Sequence, residues 1–242
     1  MRKIGVFILR AINAFLNIFI VYFNDIEDLA KQQSGRKHLS FFLKRTMDLV
    51  FSFFGLIFFA PVILIAAFII RSSSPGQLIY KQERVGKAGK IFAIYKIRTM
   101  IEDAEANTGP VWAKKKDSRI VRGGNFIREY HIDELPQLYN VLKGEMSLVG
   151  PRPERPKFVR QFYHLIPDYF QRLRVKPGIT GYAQIRYKYD ERVSDVAAKL
   201  RYERFYIQKL CFIVDISILW ETLKKIVVKG GRYDKEKKLA HV

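Results

Sequence analysis

Cysteine is nearly missing from this sequence, and acid is scarce beside base. A single cysteine, Cys211, excludes an intramolecular disulfide and fits a reducing, cytoplasmic setting. It lies in the apolar run "KLCFIVDISILW" and reads as a small buried hydrophobe. No zinc ligand set, helix-turn-helix or RNA-binding signature stands out. Against 23 Asp and Glu stand 43 Lys and Arg, a formal net charge of +20, so the expected partner is anionic: nucleic acid, an acidic membrane face or a phosphorylated substrate. What the chain has in quantity is grease. Apolar residues make up 49% of its 242 residues and aromatics 14%, a balance suited to a protein half in lipid and half in water. The length suits one domain with an appendage.

Two apolar segments differ in character. Leu49 to Ile70, "LVFSFFGLIFFAPVILIAAFII", carries no charge and is long enough to cross a bilayer core. Pro61 falls near its middle, where it removes a backbone hydrogen bond and crowds the preceding turn, so the helix is expected to bend sharply or break. Basic residues flank both ends: Arg36, Lys37, Lys44 and Arg45 before, Arg71, Lys81, Arg84 and Lys87 after. The positive-inside rule then places both ends in the cytoplasm, which predicts a re-entrant helix-break-helix; the alternative is a proline-kinked spanning helix. The segment before it, "KIGVFILRAINAFLNIFIVYFN", keeps Lys3, Arg10, Asn13, Asn17 and Asn24 in one helical stripe and predicts an interfacial helix rather than a signal peptide, with a spanning anchor that hides the stripe against a partner as the alternative. Leu210 to Val228, with Asp215 and Trp220, is too polar to cross unaided and reads as another interfacial or core helix.

The expected organisation is an N-terminal helix and linker over 1–42, a re-entrant hairpin over 43–72 and a cytoplasmic domain over 73–242. The fold class is α+β, mostly helical, with a small β-hairpin in the cytoplasmic part. That hairpin is predicted on either side of Gly86 to Gly89, in "QLIYKQERVGKAGKIFAIYKIRTM". "EDAEAN" (Glu102 to Asn107) is a short acidic helix candidate. In "HIDELPQLYNVLKGEMSLVGPRPERP", Pro136 suits a helix start and Gly144 a stop, giving a helix over Pro136 to Lys143 with Leu138, Val141 and Leu142 inward. Asp133 and Glu134 stand just before that helix, where an acid pair is ordinarily a capping device. Two proline-stiffened turns follow, "GPRP" around Arg152 and "VKPGITGYAQI".

These motifs, with "KRTMDLV" and "YIQKLCFIVDISILWETLKKIV", closely resemble the bacterial sugar transferases that are monotopic polyprenyl-phosphate phosphoglycosyl transferases, over about Lys44 to Val228. The resemblance implies that Asp133 is a nucleophile with Glu134 as its companion and that Mg²⁺ is required, with both carboxylates as its protein ligands. It also implies that the proline-broken helix is re-entrant, with Pro61 at the break. Cationic side chains to hold the substrate phosphates are assigned to Lys96, Arg98, Arg128 and Arg152, with Arg186 and Lys188 as further candidates. The chain departs from the family at Glu129, Tyr130 and His131, and at Tyr182, where Trp is frequent; these positions are read as bearing on donor choice.

The function so implied is transfer of a sugar 1-phosphate from a nucleotide sugar, UDP-linked by expectation, to polyprenyl (undecaprenyl) phosphate at the cytoplasmic face of the inner membrane. The partners are donor, lipid acceptor and membrane lipids, with nucleic acid not expected and a homodimer left open. Chemically, a carboxylate can attack the sugar-bearing phosphorus and split one transfer into two. The rival reading is a basic peripheral membrane protein that binds anionic lipid or nucleic acid without catalysis. It explains the charge but leaves the acid pair and both stiff turns idle.

Overall fold

The computed structural model describes residues 35–102, 104, 117–187 and 193–229. The predicted N-terminal interfacial helix, most of the acidic stretch after Glu102, and Lys188 lie outside the described residues.

The first element, α1, is a 39-residue helix, Gly35–Ser73, with a contour of about 58 Å. Pro61 lies inside it without ending it. The expected break is therefore not seen as an interruption of the helix. A proline deletes one backbone bond, and the bonds of its helical neighbours persist around it. Leu49, Ser52, Leu56, Ile63, Ala66 and Ile70 form a buried stripe at helical spacing. The other faces are apolar but exposed, Phe58 at 75% and Phe68 at 74%. Among the described residues this is the one helix long and apolar enough to cross a membrane.

The predicted hairpin is present. Strand β1 (Ile79–Val85) pairs antiparallel with β2 (Ile91–Ile97), Ile79 opposite Ile97 and Val85 opposite Ile91, through a 3-10 turn at Lys87–Gly89. A short helix α2 (Gly124–Glu129) leads to a 3-10 turn, Ile132–Glu134, and to α3 (Gln137–Leu142). Leu138, Val141 and Leu142 are buried there as the sequence predicts. A second, parallel pair joins β3 (Ser147–Val149) to β4 (Gly178–Thr180). These three-residue strands were not legible as strands, because so short a run has no period to read. The remaining helices are α4 (Pro156–Leu165), α5 (Tyr182–Arg186), α6 (Val193–Gln208) and α7 (Phe212–Lys229).

One hydrophobic core gathers the buried stripe of α1 with Phe92, Ile94, Val141, Leu142, Met146, Val149, Tyr206 and Ile218. Polar latches run through it. Lys44 Nζ donates to Asp215 Oδ2 at 2.8 Å and to the Val149 carbonyl at 2.9 Å, and the Tyr206 hydroxyl lies 2.7 Å from Asp215 Oδ1. Asp48 accepts from Ser147 Oγ and Leu148 N. Lys44, one of the flanking charges expected at the membrane surface, is thus buried and paired, because a carboxylate inside an apolar helix needs a counter-ion. Helix α7 turns Asp215 and Ile218 inward and exposes Ile213, Ile216, Trp220 and Leu223 on another face, so it is amphipathic as read. Cys211 is half-buried rather than fully buried.

Candidate active site

Asp133 and Glu134 sit in the 3-10 turn before α3, both buried. His131 enters this turn with a left-handed backbone, φ 56°, which redirects the chain out of α2. Neither acid caps α3: its N-cap, Pro136, has no side-chain hydrogen bond at all. The ordinary capping role is thereby set aside, and the pair is buried for another reason.

The two carboxylates have opposite surroundings. Glu134 Oε1 accepts from Lys96 Nζ at 2.7 Å and Arg152 Nη2 at 2.5 Å, and Oε2 accepts from Arg152 Nη1 at 3.2 Å. Asp133 accepts no hydrogen bond from any described residue. Burial pushes the Asp133 carboxyl above its ordinary range, opposed by Lys96 and reinforced by the negative charge of Glu134. Burial would raise Glu134 as well, but Arg152 and Lys96 hold it well below the usual carboxylate range.

Each cation around the dyad is placed by the backbone. Lys96 continues the row of Phe92 and Ile94 on the inward face of β2. That strand is fixed against α3 by Asn140, which accepts from Tyr95 N at 3.1 Å and donates to the Ala93 carbonyl at 2.8 Å. Arg152 projects from a segment without regular structure whose four successive carbonyls are all held. Pro151 accepts from Gly178 N, Arg152 from Arg172 Nη2, Pro153 from Arg84 Nη1 and Glu154 from Val85 N, at 2.7 to 2.9 Å. The two stiff turns meet here. A Cβ on Gly150 would lie 2.4 Å from the Lys176 carbonyl, and one on Gly178 would lie 2.1 Å from Gly150 N, so only glycine admits this approach.

Arg128 is half-buried, reaches Thr99 Oγ1 at 3.4 Å and acts electrostatically on Asp133. Arg98 is buried; Nη2 donates to the Ser74 carbonyl at the end of α1, while Nε and Nη1 find no partner among the described residues. Arg186 is exposed, its guanidinium 5.7 Å from the Tyr182 ring centre, and no hydrogen bond joins it to the dyad among the described residues. The structure thus brings together Asp133, Glu134, Lys96 and Arg152 and keeps Arg128 near, and among the described residues neither Arg98 nor Arg186 hydrogen-bonds to the dyad. Sequence reasoning missed Arg84, Asn140, Arg172 and Glu203, which act through contacts distant in the chain. Among the described residues there is no group of three or more His, Cys, Asp or Glu side chains able to hold a metal ion.

A buried acid pair on a 3-10 turn, flanked by lysine and arginine and docked on one long apolar helix, suits transfer of an anionic group beside lipid. Comparison with known sequences agrees with that class. The profile of the bacterial sugar transferase family matches residues 39–229, and the chain belongs to that family. An Aeromonas hydrophila protein named UDP-N-acetylgalactosamine-undecaprenyl-phosphate N-acetylgalactosaminephosphotransferase is 40% identical over 190 residues, which cover 78% of this chain and 45% of that protein. A Klebsiella pneumoniae UDP-glucose:undecaprenyl-phosphate glucose-1-phosphate transferase is 35% identical over 192 residues, 78% of this chain and 41% of that one. The chain therefore spans less than half the length of these two relatives. Exopolysaccharide production protein PSS of Rhizobium leguminosarum bv. phaseoli is 35% identical over 193 residues and is matched over 96% of its length.

Proposed function

We propose that this chain transfers a sugar 1-phosphate from a UDP-sugar to undecaprenyl phosphate through a covalent aspartyl intermediate, the first membrane step in building a surface glycan. The names of the relatives support the donor and acceptor classes. The observation that carries the chemistry is the asymmetry of the dyad: Glu134 is locked by Arg152 and Lys96, while Asp133 is buried with no hydrogen bond on its carboxylate from any described residue. A desolvated, unpaired carboxylate is a stronger nucleophile than one solvated by donors.

In the first half-reaction an ionised Asp133 oxygen attacks the sugar-bearing phosphorus. The P–O bond to the uridine monophosphate half breaks, UMP leaves with that electron pair, and an acyl-phosphate sugar remains on Asp133. In the second, an oxygen of the lipid phosphate attacks the same phosphorus and Asp133 departs as carboxylate. Glu134, charged at working pH, keeps Lys96 and Arg152 aimed at the phosphates' approach. Arg128 adds a cation beside Asp133, and Arg98 has two nitrogens, Nε and Nη1, to offer if the Ser74 end of α1 shifts. Arg186 and Lys188 are assigned to the outer part of the donor.

Mg²⁺ suits an oxygen-only site of one or two carboxylates completed by substrate phosphates and water. Asp133 has the oxygen lone pairs for it, whereas Glu134 would exchange one of its present donors. Bound there, the ion would offset diphosphate charge.

We read α1 as re-entrant, both ends on the cytoplasmic side. Its N-terminal half is tied by Arg45 to the Val141 and Leu142 carbonyls, and its C-terminal end through Ser74 to Arg98, so both ends meet the same soluble body. The test of function is product identity. With UDP-N-acetylgalactosamine or UDP-glucose and undecaprenyl phosphate, the chain should release UMP; release of UDP would mean sugar transfer without phosphate.

A further inference from the structure

A buried ion pair lies outside the dyad. Arg172, in the 3-10 turn Tyr169–Arg174, and Glu203, on α6, are 5% and 3% exposed and meet at 2.8 Å. Arg172 Nη1 also lies 2.6 Å from the Tyr169 hydroxyl, and its guanidinium is 5.1 Å from the centre of that ring. Burying two charges carries a desolvation cost that their attraction roughly balances, and apolar residues of similar volume often serve stability as well or better. Stability alone gives no reason for this pair to be charged.

The third contact of Arg172 supplies the reason. Its Nη2 donates to the Arg152 carbonyl at 2.7 Å, and Arg152 in turn closes both Nη groups on Glu134. An apolar pair fills the same space but holds no carbonyl. Prolines 151 and 153 lack N–H groups, so this stretch has few backbone donors of its own for pinning in a sheet or helix. We infer that Arg172, oriented by Glu203, is a positioning residue for the proposed phosphosugar transfer: it fixes the backbone of Arg152 so that its fork stays on Glu134 beside Asp133. This rests on the function proposed above.

The test is the paired variant Arg172→Met/Glu203→Leu, which removes both charges and leaves neither buried alone. Its thermal midpoint should match or exceed the parent's, while UMP release in the first half-reaction falls on the order of 10²-fold, as for a catalytic group misplaced by about 1 Å. In an Arg152→Ala background the same pair should cost less than about threefold, because the route through Arg152 is already cut. Rate loss tracking thermal loss, or equal fold losses in both backgrounds, would overturn the inference. Should the pair not fold, Arg172→Lys keeps a counter-ion for Glu203 without the fork and is read the same way.

An arm independent of activity separates the two claims. In ¹⁵N-arginine-labelled protein, the Nη signals assigned to Arg152 by their loss in Arg152→Lys should be resolved by restricted rotation in the parent. They should collapse in Arg172→Lys. Collapse with no UMP from the parent would sink the proposed function and keep the positioning; UMP from the parent with unchanged Arg152 signals would sink the positioning and keep the function.

Discussion

Arg152 donates both terminal nitrogens to Glu134, at 3.2 and 2.5 Å, and the next acid back, Asp133, receives no hydrogen bond from any described residue. Two adjacent carboxylates in one 3-10 turn thereby have different surroundings, and the proposed mechanism gives them different work: Glu134 as a charged strut, Asp133 as the group that reacts.

The fork is testable by shape. Arg152→Lys keeps the charge but makes one contact where two parallel ones stood, so the rate of UMP release should fall by at least about tenfold. Full activity in the lysine variant would reduce Arg152 to a generic cation. The measurement is single-turnover UMP release, with thermal midpoints recorded alongside.

Proton dependence follows from the dyad's asymmetry. In the proposed mechanism Asp133 attacks as carboxylate, so the first half-reaction should gain rate as pH rises through its raised ionisation. Glu134→Gln removes a negative neighbour and leaves the positive charges of Lys96 and Arg152 no longer offset by Glu134, and both changes favour ionised Asp133. The acidic limb should therefore move to lower pH even as the maximal rate drops. A limb that moves upward, or stays fixed, contradicts the assignment.

The latch between α1 and α7 is a stability prediction. Lys44→Met strands the fully buried Asp215 carboxylate and should cost about 3–5 kcal/mol in denaturant unfolding. Lys44→Met combined with Asp215→Leu should recover most of that, because neither charge is then buried alone. If the double variant is as unstable as the single, the latch holds the fold by more than charge pairing.

Topology is read by labelling. In a Cys211→Ser background, single cysteines at the exposed positions Leu39 and Ser73 should react from the same side of sealed vesicles. Reaction from opposite sides would make α1 a true crossing. Pro61→Leu restores the missing backbone bond and should shift the population toward crossing.

Local chemistry was legible in the sequence, and long-range pairing was not. Pro136 and Gly144 bracket α3 within a residue or two, and the Gly86 to Gly89 turn lies where the hairpin folds, because both signals are set by a few neighbouring dihedrals. The resemblance to a family singled out the acid pair, which the structure buries beside Lys96 and Arg152. That Arg152 turns to Glu134 was not legible, since a cation near a phosphate-handling site suggests a substrate contact first. Lys44 illustrates the same limit: its sequence position flanks an apolar run, yet its partner is 171 residues away. One clue was available, for Asp215 inside "CFIVDISILW" needed a buried cation from somewhere. At Pro61, a strong local signal for a bend or break, the helix continues without interruption.

The central claim is that Asp133 carries the phosphosugar. Brief exposure of the protein to UDP-sugar and Mg²⁺ without lipid, followed by intact mass and peptide mapping, reads it directly. The account predicts up to one equivalent of UMP released, a mass gain of one sugar phosphate on the Asp133 peptide, and loss of both in Asp133→Asn. An adduct on Glu134, or UMP that appears only once lipid phosphate is added with no adduct trapped, would contradict it.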